Sequence, residues 1–226
     1  PYTGRIYGNG YTIKNLNISS SNQFTGLFGV FAGYVTDLNI ENATVTNNNS
    51  EYTTSTGVFA GKIVTLSNSY PANIVAVNII NCNAVGNDYV GLLTGRIENS
   101  TELNNIRTDI NNVSTSGTVN GAISGGISGY IDTTSRISNS SSNANVHATK
   151  YAGGIVGACD ALMAKLFIGG NTIFMCDFTG NISGTDSAGE KTGCLSIDKN
   201  SLTESQLKSL ESYYYGTILD NNDNFT

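Results

Sequence analysis

The residues that could catalyse a reaction or hold a metal are few in this sequence and lie far apart. The chain has one histidine, His147, and four cysteines. A serine or cysteine hydrolase needs a histidine beside its nucleophile, so a single histidine gives this chemistry little support. Cys82, Cys159, Cys176 and Cys194 form neither a C-x-x-C pair nor a set with zinc spacing, so we expect no metal and no cofactor.

The four cysteines have two interpretations. An even number in a secreted chain allows two disulfides, in three pairings that sequence alone does not resolve. The alternative is that a thiol acts as a small buried apolar group, which suits the apolar position of Cys159. Cys194 occupies a position that is predicted to face outward, where burial is not expected.

Carboxylates are the other candidates, because β-helices that cleave glycans use them in pairs as acid and base. Here they are spread one or two to a repeat, at positions 37, 88, 98, 102, 109, 132 and 160. Asp37 and Asp132 occupy similar places in the repeat, but three repeats, or about 14 Å, separate them, which exceeds the roughly 10 Å limit for an inverting pair. We therefore predict that the protein is not an enzyme, with a glycoside hydrolase or polysaccharide lyase as the alternative.

Composition argues against two kinds of partner. Only 12% of the 226 residues are charged and the net charge is −6, so no basic stripe exists for nucleic acid. No run of about 18 apolar residues predicts membrane insertion. A surface rich in Asn, Ser and Thr is common on secreted proteins, so we expect an extracellular or cell-surface location. The chain starts at Pro1 without a signal-peptide pattern, which we interpret as processing or trimming.

Eight Asn-x-Ser/Thr sequons predict sites of N-glycosylation. A chain this rich in Asn, Ser and Thr produces roughly six or seven by chance, so their number adds little. The sequons begin at Asn17, Asn42, Asn48, Asn99, Asn112, Asn139, Asn181 and Asn224.

An internal repeat of about 30 residues organises the chain. The pattern Gly-x-x-x-Gly recurs as GVFAG, GVFAG, GLLTG, GGISG, GGIVG and GEKTG, starting at residues 29, 57, 91, 125, 153 and 189. A period that varies by several residues is typical of stacked coils whose loops differ in length. The second glycines are predicted to be structural, and they are Gly33, Gly61, Gly95, Gly129, Gly157 and Gly193.

Alignment on the second glycine sorts its neighbours by type. The residues two before and two after it are mostly apolar and predicted to face inward: Phe31, Phe59, Leu93, Ile127, Ile155 and Lys191, then Val35, Ile63, Ile97, Ile131, Cys159 and Leu195. The residue directly after it is predicted to face outward: Tyr34, Lys62, Arg96, Tyr130, Ala158 and Cys194. Sorting with period two indicates strands.

These patterns predict an all-β fold, a right-handed parallel β-helix (β-solenoid) of about six coils with a C-terminal capping α-helix. A second segment of alternating polar and apolar residues follows each glycine motif, as in LNIENATV (38–45), and supplies the next face. A sandwich of hairpins is the structural alternative, but its turns recur about every 8 to 12 residues without a longer repeat.

Several copies resemble the GLUG repeat of bacterial surface and adhesin-like proteins, over about residues 1–197. They read FTGLFGVFAGYVTDLNI, STGVFAGKI, YVGLLTGRIENS and YAGGIVGACD. The resemblance implies a surface-exposed β-helix for adhesion or scaffolding, and it brings no catalytic residues. The last copy, GEKTG, departs from the pattern at Glu190 and Lys191, where apolar residues are expected.

The two ends of the repeat differ. Residues 1–200 are predicted to form the repeat domain, and residues 201–226 a helix and tail that cap it. Thr203 followed by Gln206 predicts a capping box at the start of this helix, and Leu210 marks its apolar face. A helix that binds a partner is the alternative.

The first coil has no such cover, and an uncovered strand stack is a template for another chain. We expect its neighbour to be either a preceding domain or another subunit, and head-to-tail contact would build a filament. The predicted function is therefore an extracellular structural or adhesive β-helix, a surface scaffold or filament subunit that forms a homopolymer by end-to-end coil stacking. The alternative is a glycan-binding or polysaccharide-cleaving, pectin-lyase-like β-helix. Tyr34 and Tyr130, or the tyrosines at 213–215, are the candidates for stacking on sugar rings, although we favour the simpler interpretation that they bridge core and water.

Overall fold

The computed structural model describes residues 1–51, 53–67, 71–99, 108–132, 134–160, 173–196, 202–214 and 217–219. Over these residues the chain consists of short strands, with one helix near the C-terminal end. The strands fall into levels, a level being a run of consecutive strands that pairs with the run before it.

The strand bounds follow this order of levels. The first level comprises β1 (Arg5–Tyr7), β2 (Thr12–Lys14), β3 (Asn17–Ser20), β4 (Phe24–Thr25) and β5 (Phe28–Phe31). The second comprises β6 (Tyr34–Glu41), β7 (Thr44–Asn47), β8 (Ser55–Gly57) and β9 (Ala60–Ile63). The third comprises β10 (Asn73–Val85), β11 (Tyr89–Gly91) and β12 (Thr94–Ile97), and the fourth β13 (Asp109–Asn111), β14 (Ser114–Gly125) and β15 (Ser128–Ile131). The next comprises β16 (Arg136–Ser138), β17 (Ser141–Gly153) and β18 (Val156–Asp160). The last full level comprises β19 (Ile173–Phe174), β20 (Asp177–Phe178), β21 (Asn181–Gly184), β22 (Ser187–Gly189) and β23 (Thr192–Ser196).

Strands of successive levels pair in parallel to form two sheets. The smaller is a seven-stranded sheet in the order β5, β9, β12, β15, β18, β23 and β24 (Thr217–Leu219). The larger has 17 strands and contains the remaining segments. Long parallel sheets confirm the prediction of a mostly β, solenoid-like fold. The right-handed winding and the number of closed coils stay predictions.

Inward-facing apolar residues form columns along the stack, as expected from the period-two pattern. Phe59, Leu93, Ile127 and Ile155 are fully buried, whereas Lys191 at the equivalent place is half-buried. A second column runs through the paired residues Ile6, Val35, Ile74, Ile110, Ile137 and Ile173. The core is therefore continuous from level to level.

The register of the first glycine motif differs from the predicted one. Phe31 pairs with Ile63, and Val35 pairs with Ile74. The alignment on Gly33 had instead placed Val35 beside Ile63. The identical string GVFAG in two levels misled the alignment, because strand pairing follows the loop lengths around each copy and not the string itself.

Gly29, rather than Gly33, therefore occupies the position of Gly61 at the first level, between the paired residues Phe28–Ala60 and Val30–Lys62. The first copy of the motif is the shorter GLFG at residues 26–29. Gly33 lies at the corner between β5 and β6, and the position predicted for it in the repeat is wrong.

Steric contacts explain why the remaining positions of this column are glycine. A β-carbon added to Gly95, Gly129 or Gly157 would lie closer than 3.0 Å to backbone atoms of the preceding level. A β-carbon added to Gly61 or Gly193 would make an equally close contact with backbone atoms of the preceding level. The two strands joined by each motif thus approach neighbouring backbone too closely for any side chain.

Asparagines occupy two corners that recur at successive levels with positive φ. Asn15, Asn42 and Asn81 directly follow the paired residues Lys14, Glu41 and Ile80 at one corner. Asn112 and Asn139 are equivalent at the other corner, where Ala76 and Met175 take the same place at the levels before and after them. Asparagine tolerates this left-handed conformation better than most residues, because its short amide can hydrogen-bond locally. Part of the high asparagine content thus has a backbone origin.

The C-terminal helix α1 (Glu204–Tyr214) begins with the predicted capping box. The Thr203 N–H donates to Gln206 Oε1 at 2.9 Å, and the Gln206 N–H donates to Thr203 Oγ1 at 3.3 Å. Leu210 is buried in the main core, and Leu207 packs against it. Strand β24 follows and pairs with β23, so the segment after residue 200 also extends the smaller sheet.

Candidate functional site

Three carboxylate side chains lie on adjacent levels, at the C-terminal ends of strands β12, β15 and β18 of the smaller sheet. Glu98, Asp132 and Asp160 each directly follow a member of the paired column of Ile97, Ile131 and Cys159. Parallel strands place such residues about 4.8 Å apart along the stack. The comparison of positions 37 and 132 missed this column, although all three acids stand three residues after the second glycine of their motif.

Each of these carboxylates is bound by groups of the chain itself. Asp132 accepts from the Asn99 N–H at 2.7 Å and from Thr134 Oγ1 at 2.9 Å. Asp160 accepts a hydrogen bond of 2.7 Å from the hydroxyl of Tyr130. The acids therefore join neighbouring levels, and this geometry gives no support to an acid and base pair aimed at a substrate.

Glu98 lies between two cations. Lys62 Nζ is 2.9 Å and an Arg96 terminal nitrogen 3.5 Å from the same Glu98 oxygen. The guanidinium of Arg96 also lies over the ring of Tyr89, 4.2 Å from its centroid. The Tyr89 ring in turn meets Tyr130 edge to face, with 5.8 Å between centroids. Sequence reasoning missed this cluster because its members come from different strands of the repeat.

The pKa values of Glu98 and Asp160 shift in opposite directions because the surroundings of the two carboxylates differ. Burial alone would raise the pKa of Glu98, but its hydrogen bond to Lys62 and the charges of Lys62 and Arg96 outweigh burial and lower it. Burial raises the pKa of Asp160, against the hydrogen bond from Tyr130 and with the help of nearby carboxylates. Burial and the charge of Asp160 both raise the pKa of Tyr130, so this tyrosine is a donor and not a base.

Ala158 and Cys194 lie on the outer face of the smaller sheet, as predicted, but they are not exposed there. Both are fully buried in a small cluster with Ile123. Side chains of Tyr89, Tyr130 and Tyr151 pack against this cluster and cover it. Tyrosine rings thus bury an outer face of the smaller sheet, which the alternation within one strand does not reveal.

All four cysteines are buried thiols, which favours the second of their two interpretations over disulfide pairs. Cys159 belongs to the main core and Cys194 to the outer cluster, on the opposite face of the same sheet. Cys82 donates its S–H to the Ile80 carbonyl at 3.3 Å, and Cys176 lies three levels further along the stack. Burial raises the pKa of Cys176 to about 11, so this thiol stays protonated.

One predicted sequon is incompatible with a glycan. The Asn99 side chain is 8% exposed and hydrogen-bonds through both of its ends. Its Oδ1 accepts from the Thr65 N–H and from Thr108 Oγ1, and its Nδ2 donates to Thr134 Oγ1 and Ser135 Oγ. Six sequon asparagines are exposed, namely Asn17, Asn42, Asn48, Asn112, Asn139 and Asn181. Asn224 lies outside the described residues.

An open pocket of about 340 Å³ lies beside the first levels of the stack. Arg5, Tyr34 and Asn73 stand in one column of paired residues at its wall. Tyr7 adds a ring that is 57% exposed, with its centroid 6.0 Å from that of Tyr34. Thr3, Gly4, Ala32, Gly33 and Pro71 complete the lining. Of the candidate tyrosines for sugar stacking, Tyr34 is in this pocket, whereas Tyr130 donates a hydrogen bond to Asp160. The side chains at 213–215 lie outside the described part of the chain.

The first level leaves apolar side chains half-buried at the N-terminal end. Ile13, Leu16 and Ile18 pack against the core and keep part of their surface exposed. Phe28 is also half-buried, and its ring meets that of Tyr2 with 5.0 Å between centroids. Within the described ranges, strands β1 to β4 pair with the second level and with no strand on their other edge. This uncovered face and edge is called the N-terminal edge below.

The described residues include neither a cluster suited to a metal ion nor a helix suited to a membrane span. No group of three or more His, Cys, Asp or Glu side chains there could hold a metal ion. His147 lies on the surface, with Nδ1 2.7 Å from Ser183 Oγ. None of the described helical segments has the length and apolar character to cross a bilayer.

Comparison with known proteins gives one distant relative. The chain is 34% identical over 99 residues to halomucin of Haloquadratum walsbyi (strain DSM 16790 / HBSQ001). The match covers 42% of this chain and about 1% of the length of halomucin. No family model matches the chain, so the GLUG assignment stays a resemblance. No solved structure matches it either.

Proposed function

We propose that this chain is a structural segment of an extracellular or cell-surface β-solenoid. Its role is to hold its outer side chains at regular positions along the stack rather than to catalyse a reaction. The relative carries the name of a mucin, and the similarity to it supports a surface location. The outer faces support the same role. Asn39, Asn78 and Ser114 form a polar ladder, with side-chain hydrogen bonds of 2.8 and 2.6 Å between levels.

Surface exposure can be measured on cells that produce the native protein. A membrane-impermeant amine reagent should label its exposed lysines, such as Lys14 and Lys208, on intact cells. The extent of labelling should not rise when the cells are lysed. Labelling only after lysis would contradict the proposed location.

The N-terminal edge carries the second part of the proposal. Ile18 pairs with Val45 on one side, while its other side faces the end of the stack. Unpaired edge strands with half-buried apolar side chains favour addition of another parallel level. We infer that this level comes from a second copy of the chain, stacked end to end. At the other end Leu210 covers the core, so contact there would use the strand edge of β24.

Sedimentation over a range of protein concentrations tests this stacking. Ile18→Lys would place a charge at the N-terminal edge, whereas Ser19→Lys alters the neighbouring, exposed side chain of the same strand. We expect the wild-type chain and Ser19→Lys to associate with increasing concentration, and a folded Ile18→Lys variant to remain monomeric. A wild-type chain that is monomeric at all concentrations would overturn the proposal, and so would equal association of both variants.

A further inference from the structure

Three of the exposed sequons cross a corner of the stack in the same way. Asn42, Asn112 and Asn139 each directly follow a strand, have positive φ and are exposed. In all three sequons the middle residue is buried, and the residue with the hydroxyl is the first of the following strand. The corner therefore turns the asparagine outward while the residues on either side of it stay in the stack.

The backbone of these corners is fixed, whereas the side-chain amides are not engaged. The backbone N–H groups donate to carbonyls of the next level, at 2.9 Å for Asn42, 3.2 Å for Asn112 and 3.1 Å for Asn139. Their side chains make no hydrogen bond within the described part of the chain. Each corner thus presents an asparagine amide to solvent from a rigid support, as modification of a folded protein requires.

The other exposed sequons differ from these corners. Asn48 Nδ2 donates to Ser19 Oγ at 3.1 Å, so this amide joins neighbouring levels. Asn181 Nδ2 donates to Asn145 Oδ1 at 2.8 Å and does the same. Asn17 lies on β3 of the N-terminal edge, where a bulky glycan would obstruct the stacking proposed above.

Asn112 and Asn139 lie side by side on adjacent levels. The residues before them, Asn111 and Ser138, are paired, so the two asparagines are about 4.8 Å apart along the stack. A glycan is bulky compared with this distance, and both side chains project from the same corner. The first sugars of two glycans would collide, so a folded chain has room for one glycan at this pair.

We propose that Asn42 and one member of the pair Asn112 and Asn139 carry N-linked glycans in the native protein. This inference rests on the surface location proposed above. The donor is an oligosaccharide activated by a phosphate at its C1 atom, and a glycosyltransferase of the producing cell catalyses the transfer. The asparagine Nδ2 forms a bond to C1 and loses one proton. The bond between C1 and the phosphate oxygen breaks, and the phosphate leaves with the electron pair.

Mass spectrometry of the protein from the cells that produce it tests the inference. Trypsin cleaves after Arg136, so Asn112 and Asn139 fall in different peptides and their occupancies are measured separately. Cleavage at lysine alone keeps both in one peptide, residues 63–150, whose mass shows whether they are modified together. Ser141→Ala removes the sequon of Asn139 but keeps the asparagine, and Ser141 is exposed, so the fold should tolerate the change.

We expect a glycan on Asn42 and a single glycan on peptide 63–150, at either Asn112 or Asn139. Ser141→Ala should gain at Asn112 the occupancy that it loses at Asn139. Absence of a glycan from Asn42, absence from both members of the pair, or two glycans on one peptide 63–150 would each overturn the inference. Surface labelling of lysines on a chain without glycans would overturn it and leave the proposed location standing, so the two failures are distinguishable.

Discussion

A β-carbon on Gly95 would lie closer than 3.0 Å to the backbone nitrogen of Thr56 on the preceding level. Real β-carbons essentially never approach other atoms this closely, so the strands around each glycine motif stack only because the side chain is absent. The recurrence of glycine is thus a property of packing between levels. It needs no ligand to explain it.

Gly95→Ala should therefore destabilise the fold by about 3 kcal/mol or more, because backbone atoms must move to admit the methyl group. Gly29 is the matched control, since its β-carbon would have a nearest contact of 3.3 Å, to the Phe24 carbonyl oxygen. Gly29→Ala should cost under about 1 kcal/mol. Urea denaturation of both variants checks this. Equal losses would show that the first level is not in the register described.

Asn99 should behave as a buried structural residue and not as a glycan acceptor. Its replacement by Ala would leave several buried donors and acceptors unpaired, at about 1–3 kcal/mol each. Asn48→Ala, at an exposed sequon, should change the unfolding free energy by less than about 0.5 kcal/mol. Mass spectrometry of the chain from a glycosylating host should find no glycan on Asn99. A glycan there would contradict the hydrogen-bond network.

Glu98 and Asp160 should give the unfolding free energy opposite dependences on pH. The lowered pKa of Glu98 contributes stability that is present above its ordinary value of 4.5 and is lost as pH falls through the folded-state value. The raised pKa of Asp160 means the reverse, because its ionisation is easier in the unfolded chain, where the ordinary value is 3.8.

Glu98→Gln should therefore be less stable than the wild-type chain at neutral pH. Asp160→Asn should be more stable there, since its amide oxygen still accepts from Tyr130. The Glu98→Gln difference should shrink only as pH falls below 4.5, and the Asp160→Asn difference should shrink as pH falls toward 3.8. Urea denaturation at several pH values measures them, and shifts of the same sign in the two variants would contradict the assigned surroundings.

The four buried thiols should not react with a water-soluble disulfide reagent while the chain is folded. All four should react in denaturant without prior reduction. Fewer than four reactive thiols in denaturant would mean that a disulfide forms after all. Rapid reaction of the folded chain would contradict their burial.

The sequence predicts those features that depend on neighbouring residues. The alternation around Ile97 and Ile131 identified strands and their inward faces, because side chains on a strand alternate regardless of what the strand packs against. Thr203 and Gln206 identified the helix start for a similarly local reason.

Features that depend on contacts between strands were missed. The position of Gly33 was wrong because a repeated string does not fix register when loop lengths vary. The burial of Cys194 was missed because tyrosines from other strands cover it. Tyr34 was identified as a candidate for sugar stacking, but Tyr7, its neighbour in the pocket, comes from the first level, whose motif was aligned in the wrong place.

Both proposals depend on parallel levels stacked in the described register, and a pair of cysteine substitutions tests that register most directly. Ser19 on β3 pairs with Thr46 on β7, while Thr44 is two residues earlier on the same strand. Paired residues of neighbouring strands lie about 4.8 Å apart, within the range that a disulfide can bridge. Under mild oxidation, Ser19→Cys with Thr46→Cys should form the crosslink, and Ser19→Cys with Thr44→Cys should form it far more slowly. Equal or reversed rates would contradict the stack on which the account rests.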